Sequence, residues 1–195
     1  MNAETAAQTG APVVAPRAAQ ARIIAAALDL FARHGSGGTS LQMIADAIGV
    51  TKAAVYHQYR TKDEIILAAA EDELARLRAV IDVAEAEPSP TRTRDALLTG
   101  IVDLAVTRRR TVRTLLSDPV ISGFFVEHAA FRDVTHRLHR ILMGDDPGPE
   151  QQVRTAMLIA AISGAVMHPY VVSLDDDVLR RELVALARRF LELPT

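Results

Sequence analysis

Residues 41–59 read LQMIADAIGVTKAAVYHQY. Leu41, Ile44, Ala45 and Ile48 recur at i, i+3, i+4 and i+7, the spacing of one helix face. Thr39-Ser40 stands before this run as a cap, and Gly49 ends it where the turn needs a positive φ. Thr51 caps a second short helix that runs to about Tyr59. Two short helices joined by a tight turn form a helix-turn-helix unit. Ala45 is small where the helices approach, and Ile44, Ile48, Val50 and Val55 can pack them together.

At about 100° per residue, Lys52, Ala53, Tyr56 and His57 share one arc of the second helix. Val55 and Tyr59 fall on another arc, with the core. The first arc suits a helix lying in a major groove. Lys52 can donate to guanine O6/N7 or to a phosphate, and Ala53 can touch a thymine methyl or let the backbone come close. Tyr56 and His57 suit phosphate oxygens, which fix register. Ser40 and Thr51 sit at helix N-termini, where free N–H groups favour a phosphate. Lys62 lies in the first turn of the next helix, against the helix dipole, and a phosphate partner would account for it. Gln42 can reach DNA or remain solvated.

Outward from this unit the chain reads as helix throughout. Ile24, Ala27, Leu28 and Phe31 form a preceding helix face, stopped by Gly35 and the loop Ser36-Gly37-Gly38. Thr61-Lys62-Asp63-Glu64 is a capping box that opens a long helix with the stripe Leu67, Ala70, Leu74, Leu77 and Ile81. Pro88-Ser89-Pro90 breaks it. The next helix places Leu97, Ile101, Leu104 and Ala105 on one face and ends in Arg108-Arg109-Arg110, read as a solvated C-terminus. Asp118-Pro119 is a further break. A helix from near Glu127 to Met143 turns Phe131, Val134, Leu138 and Ile141 inward. After the loop 144–149, two helices over about Glu150–Met167 and Asp176–Leu191 close the chain. With no alternating strand pattern and no repeat, the class is all-α.

The 195 residues carry a net charge of −2, but the charge is uneven. Arg17–Lys62 holds six basic residues and two acids, a segment of +4 that leaves −6 for the remainder. A basic helical reader on an acidic helical body is the footprint of a nucleic-acid-binding protein with a second task. The absence of cysteine removes disulfide scaffolds, cysteine nucleophiles and iron–sulfur sites. No GxSxG, HExxH, paired Glu-x-x-His or phosphate loop stands in the chain, so an enzyme is not expected, nor a cofactor. The first sixteen residues, rich in Ala and Thr and broken by Pro12 and Pro16, read as a disordered tail rather than a secretory signal. The apolar stretch Met157–Val172 is interrupted by Ser163, Gly164, His168 and Pro169, short of a membrane span. A soluble, cytoplasmic protein is expected.

The run Ile23–Phe31, then Gly35, Thr39-Ser40, Ile44-Ala45, Gly49-Val50-Thr51-Lys52, Tyr56-His57-Gln58-Tyr59 and Lys62, resembles the DNA-binding domain of the tetracycline-repressor (TetR) family. The resemblance covers about Arg17–Leu77. It implies a three-helix DNA-binding domain over 17–77 joined to a larger helical domain over 78–195 that binds an effector and dimerises. It implies a homodimeric transcriptional regulator, usually a repressor, on a palindromic double-stranded operator, with recognition helices about 34–36 Å apart. A small molecule in the second domain would change that separation and release DNA. Ser36 departs from the family, which usually places a large apolar or aromatic residue there, and a looser 36–38 loop is the expectation.

Within the second domain, Leu104, Leu116, Phe125, His128 and Phe131 are the candidate effector-pocket residues. Ala156, Ala160 and Gly164 stand four apart and permit close helix packing. With Leu179, Leu183, Leu186 and Phe190 they are the candidate four-helix dimer interface, against the alternative of a contact within one chain. His128, Arg132, His136 and Arg140 share a face, read as a solvated basic surface rather than a metal site. Asp175-Asp176-Asp177 reads as a helix N-cap. The competing reading is a helical small-molecule-binding or interaction protein that has lost specific DNA binding.

Overall fold

The computed structural model describes residues 16–116, 118 and 128–192. Among these, nine helices make up the regular structure: α1 (Pro16–His34), α2 (Leu41–Ile48), α3 (Lys52–Gln58), α4 (Lys62–Glu85), α5 (Pro90–Thr107), α6 (Arg109–Leu116), α7 (Ala129–Met143), α8 (Pro149–Ala165) and α9 (Asp176–Phe190). The chain is all-α. Residues 1–15 of the expected tail, and Phe125 of the expected effector pocket, lie outside the described residues.

The caps explain where the helices begin. Ser40 Oγ accepts from Met43 N at 3.2 Å, Thr51 Oγ1 from Ala54 N at 3.2 Å, and Thr61 Oγ1 from Glu64 N at 3.1 Å. Glu64 returns the favour one residue early, accepting from Arg60 N at 2.7 Å instead of from the cap's own N–H. Asp175 Oδ1 accepts from Asp177 N and Val178 N, the N-cap expected of the aspartate triplet. Gly49 ends α2 at φ 69°, with its N–H on Asp46 O and Val50 N on Ala45 O, a Schellman closure.

The helices enclose two regions of core. In the first, Ile23, Ala27, Leu30 and Phe31 of α1 meet Ile44 and Ala45 of α2, Val55 of α3, Tyr59, and Ile65, Ile66, Ala69 and Ala70 of α4. α4 then passes into the body, where Leu74, Ile81 and Ala84 join Leu97, Val134, Leu138 and Leu142. α5 faces α4 on one side and α8 and α9 on the other, through Leu98, Val102 and Val106 against Leu158, Ile162, Leu179 and Leu183. Gly100 sets the α4–α5 approach, since a Cβ there would stand 2.6 Å from Val80 Cγ1.

Three expectations change. The inward face of α5 is Leu97, Leu98, Val102 and Val106, one position away from the expected Ile101, Leu104 and Ala105, which are only half-buried. Arg108-Arg109-Arg110 does mark the end of α5, with Arg108 as its C-cap and Arg110 exposed, but Arg108 and Arg109 are not solvated. The triplet is a corner at which a further helix, α6, begins, and Arg108 donates to Glu73 Oε1 on α4 at 2.9 and 2.5 Å while Arg109 Nη2 lies 2.9 Å from Asp176 Oδ1. The Ser36 loop is held: the Lys62 ammonium donates to the Ser36 carbonyl, and buried Thr39 donates to Gly35 O at 2.9 Å.

Candidate nucleic-acid interface

α3 is short and two-sided. Val55 is fully buried and Tyr59 nearly so, anchoring one side against α1, α2 and α4. Burial, with Asp72 and Glu71 nearby, pushes the Tyr59 phenol up, so it stays a neutral core group. On the other side Lys52, Ala53, Tyr56 and His57 are all exposed, Tyr56 at 52%. The structure therefore brings together on one surface the four residues expected to face a groove. Ser40 and Thr51 flank them at the starts of α2 and α3. Each spends its oxygen's lone pair on its cap and keeps a hydroxyl proton that can donate to a phosphate.

Lys62 differs from its neighbours. Its hydrogen bond to Ser36 O ties the start of α4 to the α1–α2 loop, which accounts for a lysine in a first turn without any phosphate. Arg22 likewise has a structural use that its charge did not announce. Its Nη2 donates to Ile48 O at 3.0 Å, completing the C-terminus of α2, where carbonyls lack helical partners. Of the basic residues behind the +4 segment, these two are committed to holding the helix-turn-helix in place, and Arg33 is paired with Asp29. Gln42 is occupied too, donating to Asp46 Oδ1 at 2.7 Å.

The other expected site residues divide. His128 caps α7, and its Nε2 lies 3.6 Å from Glu71 Oε1 on α4. Phe131 is half-buried against the Leu74–Leu138 core. Leu104 is half-buried on α5. Leu116 is 45% exposed, whereas the preceding Leu115 is 6% exposed and packs into the first core with Phe31 and Ile66. The expected inward position of α6 is thus displaced by one residue, and it faces the DNA-reading core instead of an effector cavity. The displacement follows from α6 being a separate helix over Arg109–Leu116. The run Val112, Leu115, Leu116 was the available signal. Among the expected interface residues, Ala156, Ala160, Gly164, Leu186 and Phe190 are exposed. Leu179 and Leu183 are not: they fill the chain's own core against Leu98 and Val102, and so belong to a contact within the chain.

Of the basic face on α7, Arg140 reaches Glu85 at 3.4 Å; beside that face, Arg137 reaches Glu85 and Asp82, each at 2.6 Å. Among the described residues no three His, Asp or Glu groups stand as metal ligands, and no helix is long and apolar enough to cross a membrane.

Residues 23–69 match the family of bacterial regulatory proteins known as the tetR family. Over 168 residues the chain is 24% identical to the HTH-type transcriptional repressor AcnR of Corynebacterium glutamicum, covering 85% of this chain and 82% of the repressor. It is 30% identical over 110 residues to the HTH-type transcriptional repressor Rv1474c of Mycobacterium tuberculosis, covering 56% of this chain and 57% of that protein. In fold it is similar to the TetR-family regulator PfmR of Thermus thermophilus, with a TM-score of 0.68 at 20% identity over 88% of this chain and 97% of that one. A transcriptional regulator of Aquifex aeolicus superposes with a TM-score of 0.71 at 17% identity, over 88% and 98% of the two chains. The family is one of regulators, not enzymes. With residues 23–69 matched to the family and its fold shared with the family's solved regulators, the chain carries the DNA-binding domain of the TetR family of transcriptional regulators on that family's all-helical fold.

Proposed function

We propose that the chain represses transcription as a homodimer, binding a palindromic operator through α3 and releasing it when a small molecule enters the helical body. Residues 17–77 form the reader in this reading and residues 78–195 the effector-binding and dimerising part, acting in the cytoplasm. The observation that carries it is the two-sidedness of α3, anchored by Val55 while Lys52, Ala53, Tyr56 and His57 are exposed together. In the groove, Lys52 and Ala53 meet base edges, and Tyr56, His57, Ser40 and Thr51 meet phosphates.

Dimerisation is supported by an apolar surface on α8 and α9. Thr155, Leu158 and Ile162 take α8 into the protomer, while Val153, Ala156, Met157, Ala160 and Gly164 remain exposed on its outer side. Leu186 and Phe190 of α9 are exposed as well. Two such helix pairs meeting face to face would make a four-helix interface. For the effector, His128 and Phe131 remain candidates where α7 meets α4, and buried Glu73 Oε2 has no hydrogen-bond partner among the described residues and could accept from a ligand.

Electrophoretic shifts with fragments of the source genome, run against random competitor DNA at moderate salt, test the reading. A palindromic fragment retained by a dimer is expected. If no fragment outcompetes random DNA, the repressor reading fails and the fold serves as a binding module without specific DNA recognition.

A further inference from the structure

A cleft of about 330 Å³ lies between the reader and the body. Asp29, Ala32 and Arg33 of α1 form one wall, Arg109, Arg110 and Arg113 of α6 another, and Val166, Met167 and Val172 the remainder. Arg33, Arg109, Arg110 and Arg113 thus line a space whose one acidic lining residue is Asp29, paired with Arg33, while Arg109 and Arg113 also have partners of their own. Arg109 gives one nitrogen to Asp176, while its Nη1 is buried and has no hydrogen-bond partner among the described residues. A buried guanidinium nitrogen without an acceptor is costly, and guanidinium groups match the paired oxygens of carboxylates and phosphates. None of this belongs to the DNA-facing surface, which lies on α3.

We propose that this cleft binds a small multivalent oxyanion, a dicarboxylate or a phosphate-bearing metabolite, which bridges Arg33 of α1 to Arg109 and Arg110 of α6. The bound anion cross-links the reader to the body and fixes the angle between them. The site is independent of any effector cavity enclosed by the body. The apolar residues Val166, Met167 and Val172 limit it to a compact ligand with a short carbon or phosphoanhydride backbone.

The test uses the full-length protein with glutarate and with pyrophosphate, each compared with sodium chloride at matched ionic strength. Calorimetric titration should give saturable binding for at least one anion. Hydrogen exchange should slow over residues 29–36 and 109–116 when it is bound. Binding by pyrophosphate alone identifies a phosphate ligand, and binding by both identifies the shared oxyanion chemistry. Arg33 and Arg110 are on the surface of their helices, so the double variant Arg33→Gln/Arg110→Gln should fold and melt near the wild type. It should bind the anion about tenfold or more weakly. Arg92→Gln, whose side chain pairs with Glu87 at the distant start of α5, should bind unchanged. Neither anion binding above the chloride control, binding untouched by the double variant, or protection confined to α3 would each overturn the proposal.

Discussion

At the residue scale the basic charges of the reader separate into those that can reach DNA and those that hold it in shape. Lys52 is exposed on the arc of α3 proposed to face the groove and makes no side-chain hydrogen bond or ion pair among the described residues. Lys52→Ala should therefore change which operator bases are preferred, with about 1–3 kcal/mol of discrimination lost at one position. Binding measured on matched and mismatched operators checks this, and equal losses on both would place Lys52 on a phosphate. Tyr56→Phe should instead weaken binding uniformly, by about 0.5–1.5 kcal/mol, since it removes one hydroxyl and no base contact. Lys62→Met takes the opposite route. It breaks the tie to Ser36 O, so urea unfolding should show about 1–2 kcal/mol of lost stability. If stability holds while the salt dependence of DNA binding falls, Lys62 is a phosphate contact after all.

At the element scale, what was legible in the sequence and what was not have different physical causes. The helix-turn-helix could be read because its signals are local: capping hydroxyls at Ser40, Thr51 and Thr61, a left-handed glycine at 49, and one apolar period per helix. The inward face of α5 was displaced because that helix packs against α4, α7, α8 and α9 at once, so its buried positions spread wider than one narrow stripe. α6 was missed because three arginines at its start resemble a solvated end. Their partners, Glu73 and Asp176, lie 35 and 67 positions away from Arg108 and Arg109 in the sequence, beyond any periodicity. The same displacement yields a comparison between neighbours. Leu115→Ala should cost about 2–5 kcal/mol by thermal or urea unfolding, while Leu116→Ala should cost under about 0.5 kcal/mol. The pairing of α4 with α7 gives a pH dependence. Hydrogen bonds from Arg137, with Arg140 nearby, hold the Glu85 carboxyl below its ordinary 4.5. Its contribution is present in full above that value and is lost as pH falls through the lowered folded-state pKa. Glu85→Gln should start from a lower melting temperature at neutral pH and lose less of it on acidification below about 4.5.

At the scale of the whole molecule, the near-neutral net charge is an average over two unlike parts. The basic part carries the exposed arc of α3 proposed to read DNA, and the acidic part carries an exposed apolar face on α8 and α9. Small residues at Ala156, Ala160 and Gly164 would allow two copies of α8 to approach closely, and Met157 and Leu186, each 56% exposed, would supply the apolar contact. Leu179 and Leu183, buried inside the protomer, would support this face from behind by fixing α9 against α5, an arrangement also held by Arg188 on Asp95 and Arg180 on Asp103. An operator with two half-sites is read well only if two α3 helices are held at a fixed separation, so the dimer face should govern DNA affinity from a distance. Ala160→Arg places a charge at the centre of that face without touching either core. Light scattering should show the variant shifting from dimer to monomer while its far-ultraviolet circular dichroism remains helical. Its affinity for a full palindrome should fall to that for an isolated half-site, whereas half-site binding itself should stay near the wild type. A variant that remains dimeric would place the interface elsewhere, and one that becomes monomeric yet keeps full-operator affinity would show that the two readers bind without being coupled.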